Sequence, residues 1–254
     1  MAGRLSLRAS LSESVRFATR AWRSAPVGCG LAFLAFLVPT LVGDRAVPLD
    51  LAIPLALAQL ALFVVGWTGL LRAAQGRQGF ARIASDALTV LASALLNCLF
   101  LSLIGIVLGI VLLGVAGATG LSSGEDLTMA AQASVAVGGW QTLVLLALEI
   151  AAALLLLTLS ARLLPAGPAT VSQGRVVSLA SLGWTRGTGL KPAFGLMLAL
   201  VPSGVLVITA LWSYQAGPWI DWLWSGVLGF VQFPLLAGYA TGLWQSVRPE
   251  GDFQ

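Results

Sequence analysis

The stretch LFLSLIGIVLGIVLLG, residues 99–114, decides the fold, because it belongs to a longer run, 87–114, in which no side chain is charged. A helix needs about 20 apolar residues to span a hydrocarbon core roughly 30 Å thick. The chain carries six such runs without the period-two alternation of barrel strands, so they predict membrane-spanning helices. The predicted spans are 26–43, 48–71, 87–114, 140–164, 192–213 and 222–244.

The composition excludes a water-soluble globular enzyme. Of the 254 residues, 58% are hydrophobic and 9% are charged, whereas soluble domains are about 45–50% apolar and about 25% charged. Histidine, the usual general base and metal ligand, is absent from the chain. We therefore predict one integral membrane domain over residues 1–254, an all-α polytopic helical bundle, and expect no catalytic residue, metal, cofactor or nucleic-acid partner.

The distribution of basic residues predicts the orientation. With the N-terminus in the cytoplasm, thirteen of the 14 lysine and arginine residues fall on the cytoplasmic side of the six spans, and Arg45 falls outside. The cytoplasmic loops of membrane proteins carry such an excess of positive charge. The pattern predicts an even number of spans in a bacterial inner (cytoplasmic) membrane, with both termini in the cytoplasm.

Short cytoplasmic amphipathic segments are predicted before the odd-numbered spans. The first is a helix over residues 10–24, because Ser10 and Glu13 fit a capping box and the helix would carry a basic stripe opposite an apolar one. The others are 80–86 and 176–184. Such segments lie on the membrane surface, either as anchors or in contact with anionic lipids. The residues expected at an anionic-lipid contact are Arg16, Arg20, Arg23, Arg186 and Lys191.

The layout of the chain also resembles that of a known group. Arg162-Leu-Leu-Pro-Ala-Gly-Pro168 is followed by a short predicted helix, then by Trp184-Thr-Arg-Gly187 and a new span, and Ser14-x-x-Phe17 with Trp22 precedes the first span. In these features the chain resembles uncharacterised bacterial multi-span inner-membrane proteins that are similar to the membrane domain of some glycerophosphodiester phosphodiesterases. The resemblance implies a six-helix inner-membrane fold. It does not imply catalysis, because the phosphodiesterase chemistry belongs to a separate soluble domain.

One polar pair is predicted inside the membrane. Glu149 is the only ionisable residue well inside a predicted span, and Asn97 in the neighbouring span lies at a similar depth when counted from the predicted span ends. An ionisable residue at this depth is a functional hypothesis by default. We expect Glu149 to face the bundle and to hydrogen-bond Asn97, either as an interhelical clasp or as a proton- or cation-coupled site.

Prolines and glycines predict how the helices bend and pack. Pro202 and Pro234 lie near the middle of the last two spans, where we expect helix kinks, although paired interruptions also mark the binding sites of transporters. Pairs of glycines four residues apart allow close helix packing within a chain or between copies. These pairs are Gly105 with Gly109 and Gly238 with Gly242.

These features predict a non-catalytic integral inner-membrane protein with a structural or accessory role, which organises lipids or a membrane protein complex. The expected partners are membrane lipids, and other membrane proteins or further copies of this chain. One alternative is a small-solute or lipid transporter with a midplane site near Glu149 and Asn97. A further alternative is a membrane-embedded enzyme that acts on a lipid headgroup.

Overall fold

The computed structural model describes residues 6–42, 48–77, 82–118, 140–212 and 219–248. These residues form α-helices and one π-helical segment, and no strand occurs among them. In chain order the helices are α1 (Leu7–Ser24), α2 (Pro26–Val42), α3 (Leu49–Ala74), α4 (Ile83–Ala118), α5 (Trp140–Leu163), α6 (Ala166–Gln173), α7 (Ala180–Trp184), α8 (Lys191–Ala199), α9 (Val201–Trp212), α10 (Trp219–Val227) and α11 (Phe233–Val247), with the π-helical segment Leu228–Gln232 between α10 and α11.

Four segments of the described chain are long and apolar enough to cross a membrane. They are Asp50–Ala74, Ile83–Gly117, Leu143–Gln173 and Ile220–Val247. Two bent helix pairs meet the same criteria when each pair is taken together: α1 with α2, bent by 94°, and α8 with α9, bent by 47°. The prediction of an all-helical chain that can cross a membrane several times is thus confirmed, with four to six candidate spans among the described residues.

The first amphipathic helix starts earlier than predicted. α1 begins at Leu7, and Ser6 is its N-cap, because the Ser6 hydroxyl accepts a hydrogen bond from the Ala9 amide at 3.3 Å. Ser10, expected as the cap, is buried inside the bundle instead. The capping box predicted for Ser10 and Glu13 is therefore replaced by a cap one turn earlier.

The two other predicted amphipathic segments are shorter than expected. Of 80–86, residues 80 and 81 lie outside the described residues, and 83–86 form the first turn of α4 rather than a separate helix. Of 176–184, only the five residues of α7 are helical. Residues 83–86 continue into the rest of α4, and α7 packs on the bundle.

α1 docks against α11, its main packing partner. A Cβ atom on Gly238 would lie 2.8 Å from the Cα atom of Ser14, and one on Gly242 would lie 3.2 Å from the Cα atom of Ser10, so the two backbones are in close contact. The Ser14 hydroxyl also donates a hydrogen bond to the carbonyl oxygen of Leu235 at 2.6 Å. Small residues spaced four apart allow this approach. Besides its basic and apolar stripes, α1 thus has a third face of small residues that joins it to the bundle.

The C-terminal half of α4 and the N-terminal half of α5 are largely uncovered within the described chain. Leu103, Ile106 and Ile110 of α4 and Leu146 of α5 are all exposed. Among the described residues, and apart from the adjacent backbone of α4 itself, no atom lies within 4 Å of a Cβ atom built on the paired glycines of α4. Gly105 and Gly109 therefore have no helix packed on them in this chain, in contrast to Gly238 and Gly242.

An aromatic cluster holds α2, α3 and α11 together. The ring of Phe233 makes edge-to-face contacts with Phe36 and Phe63, both at centroid separations of 5.1 Å, and with Trp67 at 5.5 Å. Such pairs contribute about 0.5–1.5 kcal/mol each beyond the burial of their surface. The cluster lies where α11 begins, directly after the π-helical segment.

We expect a graded loss of stability when the small residues of α11 are enlarged. Gly238→Ala places a methyl group against the α1 backbone and should lower the free energy of unfolding by about 1–3 kcal/mol, and Gly242→Ala should lower it less. Gly109→Ala is the matched control, because it has the same helix-propensity gain and no neighbour to displace. Thermal unfolding of the purified chain in detergent measures the order; equal effects at all three positions would contradict it.

Candidate functional site: an arginine groove at one end of the bundle

The turn after α3 orients two arginines. Gly76 has a φ of +73°, a conformation that glycine adopts without steric cost, and the Arg77 amide donates to the carbonyl oxygen of Arg72 at 2.9 Å. This is the hydrogen bond of a Schellman C-cap. The turn directs the Arg77 guanidinium to α6, where Nη1 donates to the carbonyl oxygen of Val171 at 2.7 Å and Nη2 to that of Ser172 at 3.1 Å.

An ion pair fixes the start of α4 beside the end of α3. The Arg72 guanidinium binds the carboxylate of Asp86, in the first turn of α4, and the two side chains are only 12% and 11% exposed. Gln75 adds a hydrogen bond from its Nε2 to the carbonyl oxygen of Pro168 in α6 at 2.7 Å. Removing one partner of a buried ion pair leaves an uncompensated charge, which is strongly destabilising. α3, α4 and α6 are thus held in one arrangement.

Two adjoining clefts lie at the end of the bundle where α3 ends and α4 begins. Their volumes are about 270 Å³ and 470 Å³, and Arg72 and Arg77 line both of them. Arg23, at the end of α1, lines the smaller cleft, and Arg82 lines the larger one together with Asp86. We call the two clefts the arginine groove and this end of the bundle the basic end. The apolar side of the smaller cleft consists of Val27, Leu31, Val65 and Ile83.

The basic residues predicted from the sequence to meet anionic lipid are all exposed. Only Arg23 borders the arginine groove. Its guanidinium carbon lies 4.4 Å from the ring centroid of Trp22, so the two side chains stack. The other residues of that set, which line neither cleft of the groove, are Arg16, Arg20, Arg186 and Lys191.

The predicted pair of Glu149 and Asn97 is not brought together. The Asn97 side-chain oxygen accepts a hydrogen bond from the Ser178 hydroxyl at 2.7 Å, and Asn97 lines a cleft with Ser160. Glu149 is eleven residues away from Ser160 along α5, or about 16 Å. It is exposed and has no hydrogen-bond partner among the described residues.

The physical reason is the register of α4 against α5. The first helical residue of α4 is Ile83, four residues before the predicted span. The segment after α6 then packs beside Ser93 and Asn97, because the carbonyl oxygen of Val177 accepts the Ser93 hydroxyl. The depths of Glu149 and Asn97 were predicted by counting residues from the ends of the predicted spans. Because α4 starts earlier than its predicted span, this count paired two residues that lie at different depths in the bundle.

Pro202 lies at the break between α8 and α9, where the side chain of Gln232 replaces a backbone hydrogen bond. In an unbroken helix the Ser203 amide would donate to the carbonyl oxygen of Ala199. Here Gln232 Oε1 accepts from the Ser203 amide at 3.1 Å and from the Ser203 hydroxyl at 2.7 Å, while Gln232 Nε2 donates to the Ala199 oxygen at 2.8 Å. An inserted side chain is a recognised cause of a helix bend.

Pro234 follows the π-helical segment Leu228–Gln232, whose last hydrogen bond runs from the Phe233 amide to the Leu228 oxygen. A π turn of this kind is often found at functional sites. Gln232 was missed in the sequence analysis. The available signal was a single amide in an otherwise apolar run, two residues before a proline.

No protein-family model, curated protein or solved structure matches this chain. Within the described ranges there is no group of three or more His, Cys, Asp or Glu side chains placed to hold a metal ion. The arginine groove instead presents guanidinium donors and one carboxylate. Guanidinium groups bind carboxylates and phosphates well, because their planar donors match the geometry of these anions.

We expect Gln232→Leu to destabilise the bundle, because it leaves the Ser203 amide and the Ala199 oxygen without a partner at a cost of about 1–3 kcal/mol for each buried group. Ser203→Ala removes only the hydroxyl contact and should have a smaller effect. Gln59→Leu is the control, because it makes the same change of side chain in α3, away from the break between α8 and α9. Thermal unfolding in detergent tests the order of the three variants, and a Gln232→Leu chain as stable as the wild type would contradict the bridging role.

Proposed function

We propose that this chain is a non-catalytic integral protein of a bacterial inner membrane, with an accessory role in a membrane protein complex. The proposal includes six crossings, with both termini and the basic end in the cytoplasm. Four suitable segments and two bent helix pairs support the number of crossings, and the excess of arginine supports the orientation. The resemblance to the membrane domain of glycerophosphodiester phosphodiesterases agrees with this layout and stays a prediction.

The observation that carries the proposal is the exposure of Glu149 in the middle of an apolar helix. Its neighbours Leu146 and Ile150 are exposed as well, at 50% and 52%. Ionisable residues at such depth are costly in lipid and almost always face protein or water. A second membrane protein that packs on this face and donates a hydrogen bond to Glu149 would remove that cost.

The neighbouring surface of α4 is suited to such a partner. Because Asn97 lies opposite Ser160, the residues of α4 around Gly109 lie at the depth of Glu149. The open surface at Gly105 and Gly109 allows another helix to approach closely. A twofold pairing of two copies centred on Glu149 would bring the two Glu149 carboxyl groups together, since the same patch meets itself, so we favour a different protein.

Membrane lipids are the second proposed partner. Arg16 and Arg20 of α1 are exposed, and each basic residue near an anionic membrane surface contributes about 1 kcal/mol. The transporter alternative is not favoured, because its two expected site residues, Glu149 and Asn97, are about 16 Å apart along the helices, and Asn97 lines a cleft with Ser160 instead.

We expect a photoreactive residue at position 106 or 146 to form one adduct of defined mass with another protein in native membranes. The exposed positions 53 and 208 on other helices are controls and should not form it. Glu149→Leu should abolish the adduct because the polar contact is lost, whereas Glu149→Gln should retain it. Equal adducts from all four positions, or a dimer of this chain, would overturn the proposal of a different protein partner.

Cysteine labelling tests the proposed orientation of the chain in the membrane. In a chain lacking Cys29 and Cys98, a cysteine at position 125 should react with a membrane-impermeant maleimide in intact cells. A cysteine at position 175 should react only after the cells are permeabilised, because the proposal places it in the cytoplasm. The reverse pattern of labelling would contradict the proposed orientation.

A further inference from the structure

We propose that the arginine groove binds the phosphate of an anionic phospholipid, with the acyl chains lying against α2 and α3. Nothing in the proposed contact between α4–α5 and a partner protein requires this site, and it lies at a different place from the exposed surface of α1. Its residues were not among those that the sequence predicted for lipid contact, apart from Arg23.

The groove carries an excess of positive charge. Four guanidinium groups line it, those of Arg23, Arg72, Arg77 and Arg82, against the single carboxylate of Asp86. Asp86 is engaged by Arg72. Basic pockets between membrane helices on the cytoplasmic side are known to bind anionic lipid headgroups.

Two of the guanidinium groups are held in place before a ligand arrives. Arg77 is fixed by the carbonyl oxygens of Val171 and Ser172, and Arg72 by Asp86. Binding to fixed groups avoids part of the entropic cost of ordering side chains. Arg23 and Arg82 are exposed, and each lines one of the two clefts that share this pair.

The wall of the groove favours a lipid over a free phosphate ion. The smaller cleft runs from Arg23 along the apolar side chains of Val27, Leu31 and Val65, and such a surface adds binding energy only for a ligand with an apolar part.

The test compares two double variants of the full-length chain, purified in a neutral detergent, for binding of fluorescent phosphatidylglycerol. Arg23→Gln/Arg82→Gln changes the groove, and Arg8→Gln/Arg248→Gln removes the same charge from exposed positions outside it. We expect Kd to rise at least tenfold for the groove variant and less than twofold for the control. Unlabelled phosphatidylglycerol should displace the probe, whereas phosphatidylcholine and inorganic phosphate at the same concentration should not.

Equal loss of binding in both double variants would overturn the site, because the contact would then be a general effect of surface charge. Displacement by inorganic phosphate as effective as that by phosphatidylglycerol would overturn the lipid as the ligand. Thermal unfolding shows whether the groove variant is folded. The photo-adduct from position 106 should persist in the groove variant, so failure of the lipid site and failure of the partner contact are distinguishable.

Discussion

The close contact between α1 and α11 is the constraint on which the rest of the structure depends. Because Gly238 and Gly242 have no side chains, the α1 backbone comes within van der Waals distance of α11 at Ser14 and Ser10. α11 in turn packs on α3, α6 and α8. The contact fixes where α1 ends, and it therefore fixes where Arg23 enters the arginine groove. A helix merely resting on the membrane surface would not place that side chain.

Side chains complete the backbone hydrogen bonding at two places where the helices break. Gln232 bridges the interruption between α8 and α9, and Arg77 satisfies the last carbonyl groups of α6. Unsatisfied backbone groups are especially costly in an apolar environment. At these two places the described bundle supplies polar side chains to the free backbone groups, and the arginine groove is formed at one of them.

The sequence was most informative where composition alone decides the structure. α5 was predicted as 140–164 and spans Trp140–Leu163, because a continuous apolar run can only be a helix in lipid. The contacts between the helices were harder to predict from the sequence. The small-residue face of α1 consists of serines, which also suit a helix cap. The predicted pairing of Glu149 with Asn97 was wrong because the register of two helices depends on the packing of a third segment. The ion pair of Arg72 with Asp86 joins the last turn of α3 to the first turn of α4, so no helical periodicity relates the two residues.

The most direct test of the account is a disulfide between α1 and α11. A Cβ atom on Gly242 would lie 3.5 Å from the Cβ atom of Ser10, within the range for a disulfide. In a chain lacking Cys29 and Cys98, Ser10→Cys/Gly242→Cys should form an intramolecular disulfide on mild oxidation, while Ser12→Cys/Gly242→Cys should not, because Ser12 is on the exposed face of α1. Equal cross-linking of the two pairs, or none in the first, would contradict the docking of α1 on α11.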